Sequence, residues 1–173
     1  VVTLEMQSGF VLAEQVIVEN QNLSWIQITG VDSKTIVERS ALTKNTTVSV
    51  DFFKSEFPAF SAINGSLPIL GQLFEMNTTG TGTDRIGIFI AGNSFLRIRD
   101  NSGFINSFDN NLQVSDSSTV IIGNNCNFSN SVNASGIALN DSCLARVGSN
   151  CTFDNCGGRG ISISRSSSAT FGA

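Results

Sequence analysis

Histidine and tyrosine are both absent from the 173 residues. Without histidine the chain lacks the commonest general base and metal ligand, and no Ser-His-Asp or Cys-His arrangement can form within it. Charged residues make up only 14% of the chain, and the net charge of -4 argues against broad phosphate binding, so nucleic acid is not an expected partner. There is no apolar run long enough to cross a membrane as a helix, so membrane insertion is not expected either. No signal peptide is visible, and the chain opens on Val1 rather than Met, which reads as a piece of a longer protein. The cysteines (Cys126, Cys143, Cys151 and Cys156) form no CxxC pair, and no histidine is available to complete a zinc site. Neither a metal nor a cofactor is therefore expected.

What the chain does have is 13 Phe, an abundance of Asn, Ser, Thr and Gly, and 40% hydrophobic residues, too many for a disordered segment. Its length suits one domain with a sizeable core. It also has an internal repeat. The segment from Asp116 to Asn130 aligns with Asp141 to Asn155 at an offset of 25, with Asp, Ser, Gly, Asn, Cys, Phe and Asn coinciding. A forward shift of 24 carries the pattern to Ser166, Ala169, Phe171 and Gly172, and a backward shift of 24 carries it to Ser94, Leu96, Ile98, Asn101, Phe104 and Asn106. A short alternating segment precedes each copy, beginning at Gly87, Asn111, Gly136 and Gly160.

This pattern predicts an all-β chain, a right-handed parallel β-helix with coils of about 24–25 residues. Apolar residues at i and i+2 put two side chains on one face of a strand. Each coil holds three such pairs: in the coil at 112–130 they are Leu112/Val114, Val120/Ile122 and Cys126/Phe128. Stacking at about 4.8 Å then lays equivalent residues over one another. Ile98, Ile122, Val147 and Phe171 form one expected buried column, and Phe104, Phe128 and Phe153 another. Asn101, Asn125 and Asn150 align, as do Asn106, Asn130 and Asn155. Asparagine tolerates the left-handed conformation of tight turns, and stacked amides can bond along a ladder.

The first half is less regular. Residues 1–86 read as an irregular N-terminal part, with Val2 and Ile26 again 24 apart, and residues 87–173 as regular coils, the last incomplete. Residues 51–68, from Asp51 through Phe57-Pro58-Ala59-Phe60 to Asn64-Gly65, read as an excursion with a short helix lying on the helix wall. The open last coil invites pairing with another chain or with more of the same solenoid.

Several segments carry a family resemblance: Ser8 to Glu14, Leu23 to Gly30, Arg39 to Leu42, Phe57 to Phe60 and Leu67 to Phe74. With the coils after Gly87, they resemble the tail-fibre and tail-spike-like proteins of tailed phages and prophages. The resemblance implies a virion protein assembled in the bacterial cytoplasm, a homotrimer that contacts host cell-surface polysaccharide. Some such proteins cleave that polysaccharide, which makes a depolymerase (a lyase or glycoside hydrolase) the alternative. A bacterial β-helix adhesin is a further one. The resemblance carries over no catalytic residue.

The sharpest chemical candidate is the column Asp116, Asp141 and Arg165. Two carboxylates one coil apart stand near the separation used by retaining glycosidases, whereas Asp-Ser pairs more often cap turns, which is the preferred reading. Arg97 and Arg146 share a column with Ile121 between them, and Arg99, Arg159 and Arg165 lie in the same half. These arginines suit acidic sugars through bidentate bonds, or form a solvated face, which is the commoner case. Glu75, Asp84 and Arg85 flank a loop without distinctive spacing. Trp25 and the phenylalanines at 52, 53, 57 and 60 are carbohydrate or subunit contacts, with core packing as the default. Cys126 and Cys151 stack inward as free thiols, and Cys143 and Cys156 look unpaired, which favours assembly in a reducing cytoplasm. Asn-x-Ser/Thr triplets, as at Asn22 and Asn133, follow from composition and imply no glycosylation.

Overall fold

A computed structural model describes residues 1–7, 15–30, 35–38, 58–71, 74–77 and 86–172, with only the backbone described for 35–38 and 74–77. Among the described residues there are strands and no helix. In chain order the first eight strands are β1 (Val2–Met6), β2 (Val16–Glu19), β3 (Ile26–Gly30), β4 (Thr35–Glu38), β5 (Phe60–Ile63), β6 (Ile69–Leu70), β7 (Phe74–Asn77) and β8 (Ile88–Ala91). The remainder are β9 (Phe95–Ile98), β10 (Gly103–Ile105), β11 (Leu112–Val114), β12 (Thr119–Ile122), β13 (Ile137–Leu139), β14 (Leu144–Val147), β15 (Ile161–Ile163) and β16 (Ser168–Phe171).

All pairings are parallel, and the strands sort into three walls of a β-solenoid of about 5 turns. Wall one is the seven-stranded sheet β1-β3-β6-β9-β12-β14-β16, and wall three is the six-stranded sheet β15-β13-β11-β8-β5-β2. Wall two is the three-stranded sheet β10-β7-β4, continued by single bridges from Gly103 to Asn127 and from Asn127 to Thr152. The chain visits the walls in a fixed order because each coil holds three short apolar pairs separated by turns.

The register matches the repeat. Phe95 lies opposite Thr119, Thr119 opposite Leu144 and Leu144 opposite Ser168, offsets of 24, 25 and 24 residues. Val2 lies opposite Ile26, the same offset of 24. The coil after β3 is longer: Ile28 pairs with Leu70, 42 residues on, and Leu70 with Ile98, 28 on. Its additional residues fall mainly between β4 and β5.

Residues 51–57 lie outside the described residues, and with them the expected short helix. The rest of the expected excursion is corrected. Phe60–Ile63 is strand β5, stacked between β2 and β8. Ala59, Phe60, Ala62 and Leu67 are buried in the core. The signal was weak because the small Ala62 stands in the column where later coils place Ile90, Val114 and Leu139.

The corners explain the polar composition. Asn101, Asn125 and Asn150, between walls one and two, all have positive φ, at 59°, 54° and 56°. Asn106, Asn130 and Asn155, between walls two and three, follow suit at 64°, 60° and 54°. A left-handed residue turns the chain sharply, and asparagine is the non-glycine residue that bears it most readily. The Asn125 amide donates to Asn101 Oδ1 at 3.3 Å, and the Asn155 amide to Asn130 Oδ1 at 3.4 Å.

The columns point inward as expected, with one exception. Ile98, Ile122 and Val147 are buried, but Phe171 is 60% exposed. It keeps its register opposite Val147, but β16 is the last strand of wall one, so its side chain has a neighbour on one side only. Phe104, Phe128 and Phe153 stack at centroid distances of 6.0 and 5.8 Å.

The thiols belong to a polar ladder inside the same core. Ser102 Oγ donates to the Gly71 carbonyl. In the next coils Cys126 Sγ donates to the Arg99 carbonyl at 3.2 Å and Cys151 Sγ to the Gly123 carbonyl at 3.3 Å. All four cysteines are free. Cys126 is buried and Cys151 half-buried. Cys143 is also buried and occupies a serine column, with its N–H donating to Ser167 Oγ at 3.0 Å just as the Ser94 N–H donates to Ser118 Oγ.

Burial pushes the Cys126 thiol from its ordinary 9.0 up to about 12. Because the folded-state value is the higher one, the unfolded chain releases this proton first as the pH climbs. The stability carried by the neutral thiol is full below about pH 9 and is lost toward about pH 12, a loss on the order of 4 kcal/mol across that window. Cys126→Ser, which supplies the hydroxyl that Ser102 uses one coil earlier, is expected to remove this part of the alkaline loss. Urea unfolding followed from neutral to alkaline pH checks it, and an unchanged alkaline slope would contradict it.

Candidate functional site

Two groups of charged side chains stand out on the solenoid surface. The first is the corner from wall three to wall one. There Asp116-Ser117, Asp141-Ser142 and Arg165-Ser166 each place two successive residues at positive φ, between 50° and 63°. Two left-handed residues in a row form a type I′ turn, which aspartate and serine support through their short polar side chains. Asp141 is further tied to Arg165, whose Nη1 lies 3.2 Å from Oδ1 and 3.4 Å from Oδ2. The pair is exposed, so it adds little stability. Asp116 and Asp141 also border a depression of about 340 Å³ on wall three, floored by Ile63, Phe89 and Ala91. The aspartates are accounted for as turn residues.

The second group lies on the outer face of wall one, where strand alternation turns one row outward. Its members face one another by register: Arg97 opposite Ile121, Ile121 opposite Arg146, and Arg146 opposite Thr170. Arg97 and Arg146 are exposed, and neither has an ion-pair partner among the described residues. They stand two coils apart, about 10 Å at the usual strand spacing.

Each arginine borders its own depression. One, of about 220 Å³, is lined by Arg97, Arg99, Asp100, Ile121 and Gly123. The other, of about 290 Å³, is lined by Arg146, Gly148, Thr170, Phe171 and Gly172. A glycine lines each hollow. Gly123 and Gly148 follow the inward Ile122 and Val147 at the rim, where successive coils pack too tightly for a side chain: a Cβ on Gly148 would lie 2.6 Å from the carbonyl carbon and oxygen of Gly123. Asp100, in the first hollow, already accepts the Asn124 N–H through Oδ1 at 2.8 Å.

The structure thus brings Arg97 and Arg146 onto one face, with Arg99 lining the same hollow as Arg97, and sets Arg159 and Arg165 apart. Arg99 lies at the rim, Arg165 at the opposite corner, and Arg159 between walls two and three. The glycine column was visible in the repeat as a coincidence between copies, but the tight coil packing that requires glycine there was not, because that depends on what a Cβ would strike. Trp25 is 53% exposed rather than packed in the core, whereas Phe60 is core. Phe52, Phe53, Phe57, Asp84 and Arg85 lie outside the described residues, and Glu75 falls in β7. Among the described residues no cluster of three or more His, Cys, Asp or Glu side chains could hold a metal. No family model matches the chain, and neither a curated protein nor a solved structure matches it.

Proposed function

We propose that the chain is a structural, receptor-contacting segment of a phage tail fibre or tail spike, a homotrimer that meets host cell-surface glycans. The observation that carries this reading is the continuous parallel stack. Its walls repeat the same side-chain positions about every 4.8 Å, a surface matched to a linear, repeating ligand. The resemblance of the first-half segments to tail-fibre and tail-spike proteins supports the virion setting. The four reduced thiols agree with assembly in the bacterial cytoplasm.

Light scattering on the purified chain is expected to give a trimer, and an array of bacterial surface polysaccharides is expected to show binding to at least one. A monomer that binds none of them would sink the proposal. Bound polysaccharide should stay intact on long incubation, since the left-handed backbone already explains Asp116 and Asp141. New reducing ends that disappear in Asp141→Asn would move the reading to a depolymerase.

A further inference from the structure

We infer that the outer face of wall one binds a linear polysaccharide with carboxylates on alternate sugars. This rests on the glycan reading above and names the face and the ligand chemistry. In a chain of net charge -4, this face presents two exposed arginines without ion-pair partners among the described residues. They are not a dense basic patch of the kind that gathers polyphosphate. They are two fixed points two coils apart, about 10 Å along the wall. Each guanidinium offers a planar fork that fits a carboxylate with two parallel hydrogen bonds. Beside each lies a hollow whose lining includes a rim glycine. Ile121, half-buried between the arginines, offers an apolar surface to the sugar that carries no charge. Thr170 adds a hydroxyl next to Arg146. The solenoid sets the spacing of the charges, so the ligand must repeat its own charge at a comparable interval. A sugar chain with one uronic acid per disaccharide does so.

The test is calorimetric titration of the full chain with three probes. These are hyaluronan oligosaccharides, which carry a uronate on every second sugar, neutral dextran, and dextran sulfate. Hyaluronan is expected to bind, and more weakly as salt is added. Arg97→Ala and Arg146→Ala should each lower the affinity by about tenfold or more. Both side chains are exposed, so the variants should fold, as circular dichroism will show. Arg159→Ala, away from this wall, should bind like the parent. Equal binding of dextran, or hyaluronan binding untouched by both arginine variants, overturns the inference while leaving the glycan reading in place. Tighter, arginine-dependent binding of dextran sulfate overturns the carboxylate assignment. Failure to bind hyaluronan by a chain that binds a polysaccharide on the array overturns only the inference, and failure to bind the probes and every polysaccharide on the array removes both readings.

Discussion

Phe128→Ala is expected to lower the unfolding free energy by about 3–5 kcal/mol, the usual cost of removing a buried phenylalanine. Phe128 is fully buried, and its ring is stacked between Phe104 at 6.0 Å and Phe153 at 5.8 Å. The variant therefore loses two aromatic contacts, each worth about 0.5–1.5 kcal/mol beyond its buried area. Neighbouring coils cannot close the gap, because the hydrogen-bond ladders fix their spacing. Phe171→Ala is the control. That ring sits in an equivalent inward column but is 60% exposed, and its removal should cost less than about 1 kcal/mol. Urea unfolding of both variants gives the comparison. Similar losses for the two would contradict the burial assigned to them.

Asn111→Ala is expected to cost about 2–4 kcal/mol through hydrogen bonds rather than volume. The side chain of Asn111 is buried, and its amide nitrogen donates to the carbonyls of Phe128 at 2.8 Å and Ser129 at 3.0 Å. Its Oδ1 accepts the Ser107 N–H at 3.0 Å. Alanine strands a buried donor and weakens two carbonyls at the corner where walls two and three meet. Asn111→Asp should do no better, because a carboxylate accepts but cannot donate to two carbonyls. The midpoint of urea unfolding reads both variants, and a change below about 0.5 kcal/mol in Asn111→Ala would refute this role.

The repeat made the second half of the fold legible for a physical reason. Parallel stacking puts each residue against its own copy, so a column can be read from one sequence without knowing the fold. The asparagine columns were read correctly because left-handed turns demand that residue. Asn111 was not read, since in its column glycine stands at 87, 136 and 160 and the asparagine looked interchangeable with them. Its role depends on Phe128 and Ser129, a full corner away. Strand β5 was missed because Ala59 and Ala62 give little hydrophobic signal, although both are buried. For the candidate site, the shared column of Arg97 and Arg146 was legible, while the hollows beside them were not. Those depend on how side chains of successive coils and the rim come together in space, which a repeat pattern does not record. For Trp25, core packing was the default beside a carbohydrate or subunit contact, and its exposure reflects its place before β3 near the first coil.

The central claim is in-register parallel stacking, and ring-to-ring nuclear Overhauser contacts in a phenylalanine-labelled sample test it most directly. Phe128 should show contacts with both Phe104 and Phe153, and those two should show none with each other, since Phe128 lies between them. A direct Phe104–Phe153 contact, or a Phe128 ring that touches neither, would contradict the solenoid register on which the core, the corners and the arginine face all depend.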